Sequence, residues 1–388
     1  MVSTEKIENS FQEVFSGKPE VLALAPGRVN LIGEHTDYNE GFVLPMAVDR
    51  GVSLAGRKRN DPKIILYSAA HGEKAEFSLE SLQSGAPRWA DYFKGVALVL
   101  GKAGAPLRGC EAVVDGDLPQ GAGLSSSAAF EVASAVFLRN LFRFGLGDLE
   151  LVRAALRAEN EFVGVSCGIM DQFASYSGEK GKALFLDCRS LEHQGVPLGK
   201  DLSVVVFNTG VKRELASSAY NDRRRECQEA VRALAAVLPG LRSLRDVSLC
   251  DFEKHQDRLP PLILRRCRHV VAENQRVLDT VEALKNGNWK RVKDLFRESH
   301  ESLRDDYEVS CPELDALVEL AQDHALPQGS RMTGGGFGGC TVNLVSAGKK
   351  ETDEFIAFVS GGYEKRFGRK PESYVFQPSD GAKLLNGS

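Results

Sequence analysis

Residues Leu118 to Ala129 read L-P-Q-G-A-G-L-S-S-S-A-A, and no other run constrains the fold as tightly. A strand-like stretch, Ala112 to Asp115, leads in, and a strongly apolar segment, Phe130 to Phe142, follows. The local order is strand, glycine loop, helix. Gly121 and Gly123, with Ala122 and Leu124, let backbone N–H groups come close to a ligand. Ser125, Ser126 and Ser127 then open the helix, where unpaired N–H groups and the positive end of the helix dipole converge. Such an arrangement binds anions, phosphate above all. On this run alone the alternative is a Gly-rich turn with a Ser N-cap.

The motifs that usually accompany phosphate binding are missing. There is no G-x-x-x-x-G-K-[ST], no H-R-D with D-F-G, and no G-x-G-x-x-G after a first strand. P-loop, protein-kinase and Rossmann readings are therefore set aside. With 388 residues, 43% hydrophobic and 26% charged, the chain reads as a globular protein of two domains. A formal net charge of -4 gives no bulk attraction to nucleic acid or anionic lipid. No apolar run approaches the ~20 residues of a membrane helix. Met1 to Gly17 is polar and acidic and lacks a signal core. The eight cysteines are scattered without a C-x-x-C pair. Reduced thiols and a cytoplasmic location are expected, with no zinc site.

Four other segments carry chemistry. Ala25 to Pro45 places Arg28, Glu34, His35 and Asp37 within ten positions, flanked by Val29–Ile32 and Phe42–Leu44. The apolar flanks pin the loop to a core. Rigid acids and an imidazole suit the hydroxyls of a polyol or sugar. A self-satisfied structural loop, or a metal site at His35 and Asp37, are the alternatives. In the second segment, Leu149 to Val163 has helical periodicity, with Glu159 near the centre of the apolar stripe. A buried carboxylate there is costly unless a cation or hydrogen-bond donors compensate it. Mg²⁺ brought with a nucleotide is one, held by Ser127 and Glu159; a buried Arg or Lys partner is the other. Cys167 to Phe173, C-G-I-M-D-Q-F, offers Asp171 as a general base or substrate orienter, or as a helix cap. Met332 to Val345 carries five glycines in six residues before an alternating strand. It reads as a tight loop that packs over a ligand or is only a strained turn.

Taken together, G-R-V-N-L-I-G-E-H-T-D-Y-N from Gly27, G-x-G-L-S-S-S-A-A from Gly121, C-G-I-M-D-Q-F from Cys167, S-S-A-Y-N-D-R-R-R-E-C from Ser217 and G-G-G-F-G-G from Gly334 resemble the GHMP kinases. Within them the chain is most similar to the galactokinase family. The resemblance implies an α+β, two-domain GHMP kinase architecture. The N-terminal domain would be ribosomal-protein-S5-like and the C-terminal one ferredoxin-like. It implies transfer of phosphate from ATP to the C1 hydroxyl of galactose. Glu34, His35, Asp37, Gly168 and Tyr220 would bind the sugar. Gly121 to Ser127 would cradle the ATP phosphates, and Ser127 and Glu159 would hold Mg²⁺. Asp171 would act on the C1 hydroxyl with Arg28 beside it, and Trp89 is a candidate for the adenine side. Another sugar 1-kinase, including one for N-acetylgalactosamine, or a non-catalytic sugar and ATP sensor would share much of this pattern.

The organisation divides at about residue 195. Residues 1–195 carry the sugar loop, phosphate loop and Asp171; residues 196–388 carry the glycine loop. After a strand near Leu202, helices are expected over Asn221–Leu238, Leu262–Leu284, Trp289–Leu303 and Thr352–Arg366. A Ser310/Glu313 capping box is expected to start another over Pro312–His324.

Overall fold

A computed structural model describes residues 3–119, 123–199, 201–211 and 216–385. Among them the strands are β1 (Val21–Asn30), β2 (Phe42–Val43), β3 (Pro45–Lys58), β4 (Lys63–Ser68), β5 (Glu73–Ser78), β6 (Cys110–Gly116), β7 (Lys182–Asp187), β8 (His193–Pro197), β9 (Leu202–Asn208), β10 (Pro327–Thr333), β11 (Cys340–Ser346), β12 (Glu372–Phe376) and β13 (Lys383–Leu384). They form a six-stranded sheet ordered β13-β1-β3-β6-β4-β5, a four-stranded sheet β10-β11-β9-β12 and a small sheet β2-β7-β8. The architecture is α+β, as expected. The C-terminal tail crosses back, since β13 pairs with β1 at Ala23 and Leu24.

Helix Ser126–Phe142 packs on β1 and β3 of the six-stranded sheet, and helices Asp91–Lys102 and Asp148–Arg157 pack against it in the same core. Phe93, Phe137 and Leu138 lie in that core without solvent exposure. Burial of such a side chain contributes roughly 1.5–3 kcal/mol. The apolar run after the phosphate loop is therefore a buried helix covered on almost every side. A second core joins Val29, Leu31 and Ile32 at the end of β1 to Val204 and Val206 of β9 and Val277 of helix Pro261–Lys285. This junction brings the N-terminal sugar loop against the second half of the chain.

Helices expected after residue 202 occur at Ala216–Ala235, Pro261–Lys285, Trp289–Asp305, Pro312–Gln322 and Lys349–Phe367. Two local expectations need correction. The Ser310/Glu313 capping box does not form. Cys311 occupies the N-cap and Pro312 the first helical position, which favours proline. Ser310 Oγ instead donates to Asp315 at 2.5 Å. The helix expected over Leu149–Val163 is α-helical only to Arg157, and Ala158–Val163 widens into a π-helical turn. Gly164 N–H reaches back to Glu159 O at 2.9 Å. Such widened turns are often found at functional sites, and this one carries Glu159.

Candidate functional site

The site begins at an irregularity in β1. The β1–β3 register shifts between Pro26 and Arg28, so Gly27 has no partner across the ladder. A bulge of this kind re-aims the next side chain. A Cβ on Gly27 would lie 2.7 Å from Leu124 O, so only glycine lets the strand touch the phosphate loop. Arg28 N–H then donates to Leu124 O at 3.1 Å, and its Nη1 to Gly123 O at 2.6 Å.

Arg28 is almost fully buried and forks onto Asp171. Its Nε donates to Oδ1 at 2.7 Å and its Nη2 to Oδ2 at 2.8 Å. Bidentate pairs of this type fix direction as well as charge. Asp171 stands in the first turn of helix Met170–Ser177. Ser175 ties that helix to β1 by donating to Pro26 O at 2.6 Å.

Ser125 completes the cluster. Its φ of 53° puts it in the left-handed region, uncommon for a residue with a side chain. Its hydroxyl leaves the helix uncapped and donates to Asp171 Oδ2. The bland reading of a Ser N-cap therefore fails at Ser125. Ser126 is exposed and Ser127 half-buried in the open first turn. Gly121 and Ala122 lie outside the described residues.

Glu159 is buried, as its place on the apolar stripe predicts. Its expected alternative, a buried Arg or Lys partner, is absent among the described contacts. Glu159 Oε2 accepts from Gln172 Nε2 at 2.6 Å and from Cys167 Sγ at 3.2 Å, and the carboxylate also bonds Ser127. Burial raises its pKa, and these three donors pull it back in part. Gln172 Nε2 also donates to Glu131 Oε2 at 3.0 Å. Burial, then the charge of Glu159, pushes Glu131 up to about 10, so it is a neutral acid at pH 7. Oε1 of Glu131 and Oε1 of Gln172 are buried acceptors without a hydrogen-bond partner. The surroundings are rich in hard oxygen and short of positive charge, which fits Mg²⁺ at Ser127 and Glu159.

The sugar-loop residues diverge in what they touch. Glu34 pairs with the fully buried Arg331. Its Oε1 accepts from Gly334 N at 3.0 Å and Thr333 Oγ1 at 3.1 Å. It thus fastens the glycine loop to the sugar loop, some 300 residues away in sequence. His35 has a φ of 64° and shares a 2.8 Å hydrogen bond with Tyr38 OH through Nδ1. Burial, then His269 and Arg223, lowers its pKa to about 3, so it is neutral. Asp37 abuts Gly168, where a Cβ would come within 2.1 Å of Asp37 Oδ2. Burial, then the charge of Asp171, raises its pKa to about 6. Tyr220 packs on His35 at 5.4 Å and Tyr38 at 5.3 Å between ring centroids. Gly335 faces it, 3.6 Å from a built Cβ to the ring. The glycine loop therefore covers the aromatic side of the sugar loop. No cluster of three His, Cys, Asp or Glu side chains arranged for a metal occurs among the described residues. Trp89 Nε1 donates to Glu73 Oε2 at 3.1 Å, with the ring partly buried against the first core.

Arg331, Glu131 and Gln172 were not singled out in the sequence. Glu131 did have a signal, as an acid inside the apolar run Phe130–Phe142. Arg331 had none, because its partner is remote.

Residues 9–58 match the galactokinase galactose-binding signature. Residues 91–179 match the GHMP kinase N-terminal domain and 280–359 the C-terminal domain. A galactokinase of Roseiflexus sp. strain RS-1 is 46% identical over 98% of this chain and 97% of its own. The Homo sapiens galactokinase is 45% identical over 97% and 95%. The chain belongs to the galactokinase family. A crystal structure of Lactococcus lactis galactokinase complexed with galactose superposes with a TM-score of 0.92 at 38% identity, covering 97% of this chain and 98% of that one. Methanococcus jannaschii mevalonate kinase, at 17% identity and a TM-score of 0.65, shares the fold alone. For this galactokinase-family chain the GHMP architecture expected from the sequence therefore holds.

Proposed function

We propose that this chain transfers the γ-phosphoryl group of ATP to the C1 hydroxyl of D-galactose, releasing galactose 1-phosphate and ADP. The observation that carries the reading is the Arg28–Asp171–Ser125 cluster. It ties the phosphate loop to a helix that starts two residues after Gly168, which abuts Asp37.

In this reading Gly121 to Ser127 receive the ATP phosphates, and Asp37, His35, Gly168 and Tyr220 line the sugar site. Glu34 contributes by holding the sugar loop to Arg331 and Gly334. Asp171 accepts the C1 O–H and orients the oxygen toward the γ-phosphorus. The new O–P bond forms as the bond to the bridging oxygen of ADP breaks. The C1 hydroxyl proton passes to Asp171 as charge shifts to the leaving group. Loose phosphoryl-transfer transition states need little nucleophile activation, so orientation is the larger contribution. Arg28 holds Asp171 in place and sets positive charge beside the moving phosphoryl group. Ser127 and Glu159 would hold Mg²⁺, which when bound neutralises phosphate charge. We also assign residues 1–195 and 196–388 to the two domains. No helix among the described residues is long and apolar enough to cross a membrane. Eight free cysteines suit the reducing cytoplasm.

The test is a coupled ADP-release assay across hexoses. Galactose and glucose differ only at C4, and a site built around a buried acceptor discriminates such a change well. The expected kcat/KM for galactose exceeds that for glucose by at least about 50-fold. Comparable values, or a preference for N-acetylgalactosamine, would move the chain to another sugar kinase specificity.

A further inference from the structure

The outer tip of the sugar loop is held by groups that the proposed chemistry does not use. Thr36 O accepts from Asn39 N at 3.0 Å and Gly41 N at 2.8 Å, and Glu40 N donates to Asp37 O at 3.1 Å. Asp37 and Glu40 are therefore opposite ends of one turn. Glu40 has a φ of 58° and points its side chain outward, half in solvent. Arg189, just after β7, reaches across to it. Its Nε donates to Glu40 Oε2 at 2.7 Å, its Nη2 to Ser243 Oγ at 2.8 Å and its Nη1 to Asp246 Oδ1 at 2.5 Å.

Both ends of this bridge are themselves anchored. Asp246 Oδ2 accepts from the backbone N–H of Arg242 at 2.9 Å and of Ser243 at 3.2 Å. Asp187 Oδ1 accepts from the backbone N–H of Arg189 at 2.9 Å, and its Oδ2 from Arg245 Nη2 at 2.8 Å. The Arg245 guanidinium lies 3.4 Å over the Phe42 ring. Cys188 N–H donates to Gly41 O at 2.9 Å. Two segments remote in sequence, 187–189 and 242–246, thus converge on the tip of one loop.

We infer that Arg189 is a positioning residue that sets the sugar loop, and with it Asp37, for substrate. The inference rests on the proposed role of that loop in holding the sugar. A lone exposed ion pair contributes little. A planar fork on three fixed acceptors restricts geometry in a way that a flexible ammonium does not. Arg28, Asp171 and Ser125 sit on β1, the helix at Met170 and the phosphate loop, and none of the three side chains bonds Arg189, Glu40, Ser243 or Asp246. Release of the tip should therefore disturb sugar binding and leave the transfer step and the nucleotide site in order.

The experiment compares the unmodified protein with Arg189→Met, Arg189→Lys, Glu40→Gln and the Arg189→Met/Glu40→Gln double variant. For each, the KM for galactose, the KM for ATP, kcat and the melting temperature are measured. Arg189→Met should raise the galactose KM about tenfold, with kcat and the ATP KM within about twofold. Arg189→Lys should recover part of the loss. The double variant should be no worse than Arg189→Met alone. A galactose KM within twofold of the unmodified protein would overturn the inference. So would equal losses in all three constants with a lowered melting temperature, or additive effects in the double variant. If the unmodified protein does not phosphorylate galactose, the underlying reading of the sugar loop fails instead, and the two failures are told apart.

Discussion

Asp171→Asn is expected to lower kcat by about 10²- to 10⁴-fold while galactose and ATP still bind. The amide keeps the size of the carboxylate and one acceptor oxygen, so Arg28 retains one leg of its fork. It cannot take the C1 hydroxyl proton, and it cannot accept from Arg28 Nε, Arg28 Nη2 and the sugar hydroxyl together. Ser125 can rotate to accept from the new N–H, which keeps the local structure intact. Calorimetric titration with each substrate separates binding from turnover. A kcat within fivefold of the unmodified protein would make Asp171 dispensable and remove the core of the mechanism.

Asp37→Asn should weaken galactose binding about 10²- to 10³-fold, through the loss of hydrogen bonds to a charged acceptor. The same change should stabilise the ligand-free protein at pH 8. The sign follows from linkage. The Asp37 pKa rises from 3.8 to about 6, through burial first and the Asp171 charge second. Its contribution to stability is complete below pH 3.8 and lost as pH rises through 6. Above that, the ionised carboxylate is a cost. At about 1.4 kcal/mol per unit, the full shift amounts to roughly 3 kcal/mol, less for the part of the side chain that solvent reaches. Asparagine removes the cost, so the melting temperature at pH 8 should rise by about 2–5 °C and the gain should vanish near pH 4. Thermal melts at both pH values, with sugar titrations, test the pair of effects. Unchanged sugar affinity, or a lower melting temperature at pH 8, would contradict it.

Much of this site can be read along the chain because its signals are local. Helical spacing puts Glu159 on a buried stripe. Glycines and serines in order mark the strand, loop and helix that meet phosphate. What could not be read is carried by contacts across the fold. Nothing near Glu34 announces Arg331, and nothing near Glu40 announces Arg189. Ser125 has the composition of a cap, yet the nearby Asp171 carboxylate draws it into a left-handed conformation instead. Helix Pro312–Gln322 starts at the expected residue but is capped at Cys311 rather than by the Ser310/Glu313 box, because a residue without an N–H fits the first helical position. The π turn at Ala158–Val163 is likewise a response to tertiary surroundings, with Glu159 drawn toward Gln172, Cys167 and Ser127.

Transfer to C1 is read from the position of the phosphate on the product. The unmodified protein is incubated with galactose, ATP and Mg²⁺, and the product is examined by phosphorus–proton correlation NMR while ADP is counted. One phosphorus signal coupled to the anomeric proton is expected, with one ADP for each sugar phosphate. Coupling to the C6 protons, or ADP released with inorganic phosphate and no sugar phosphate, would contradict it.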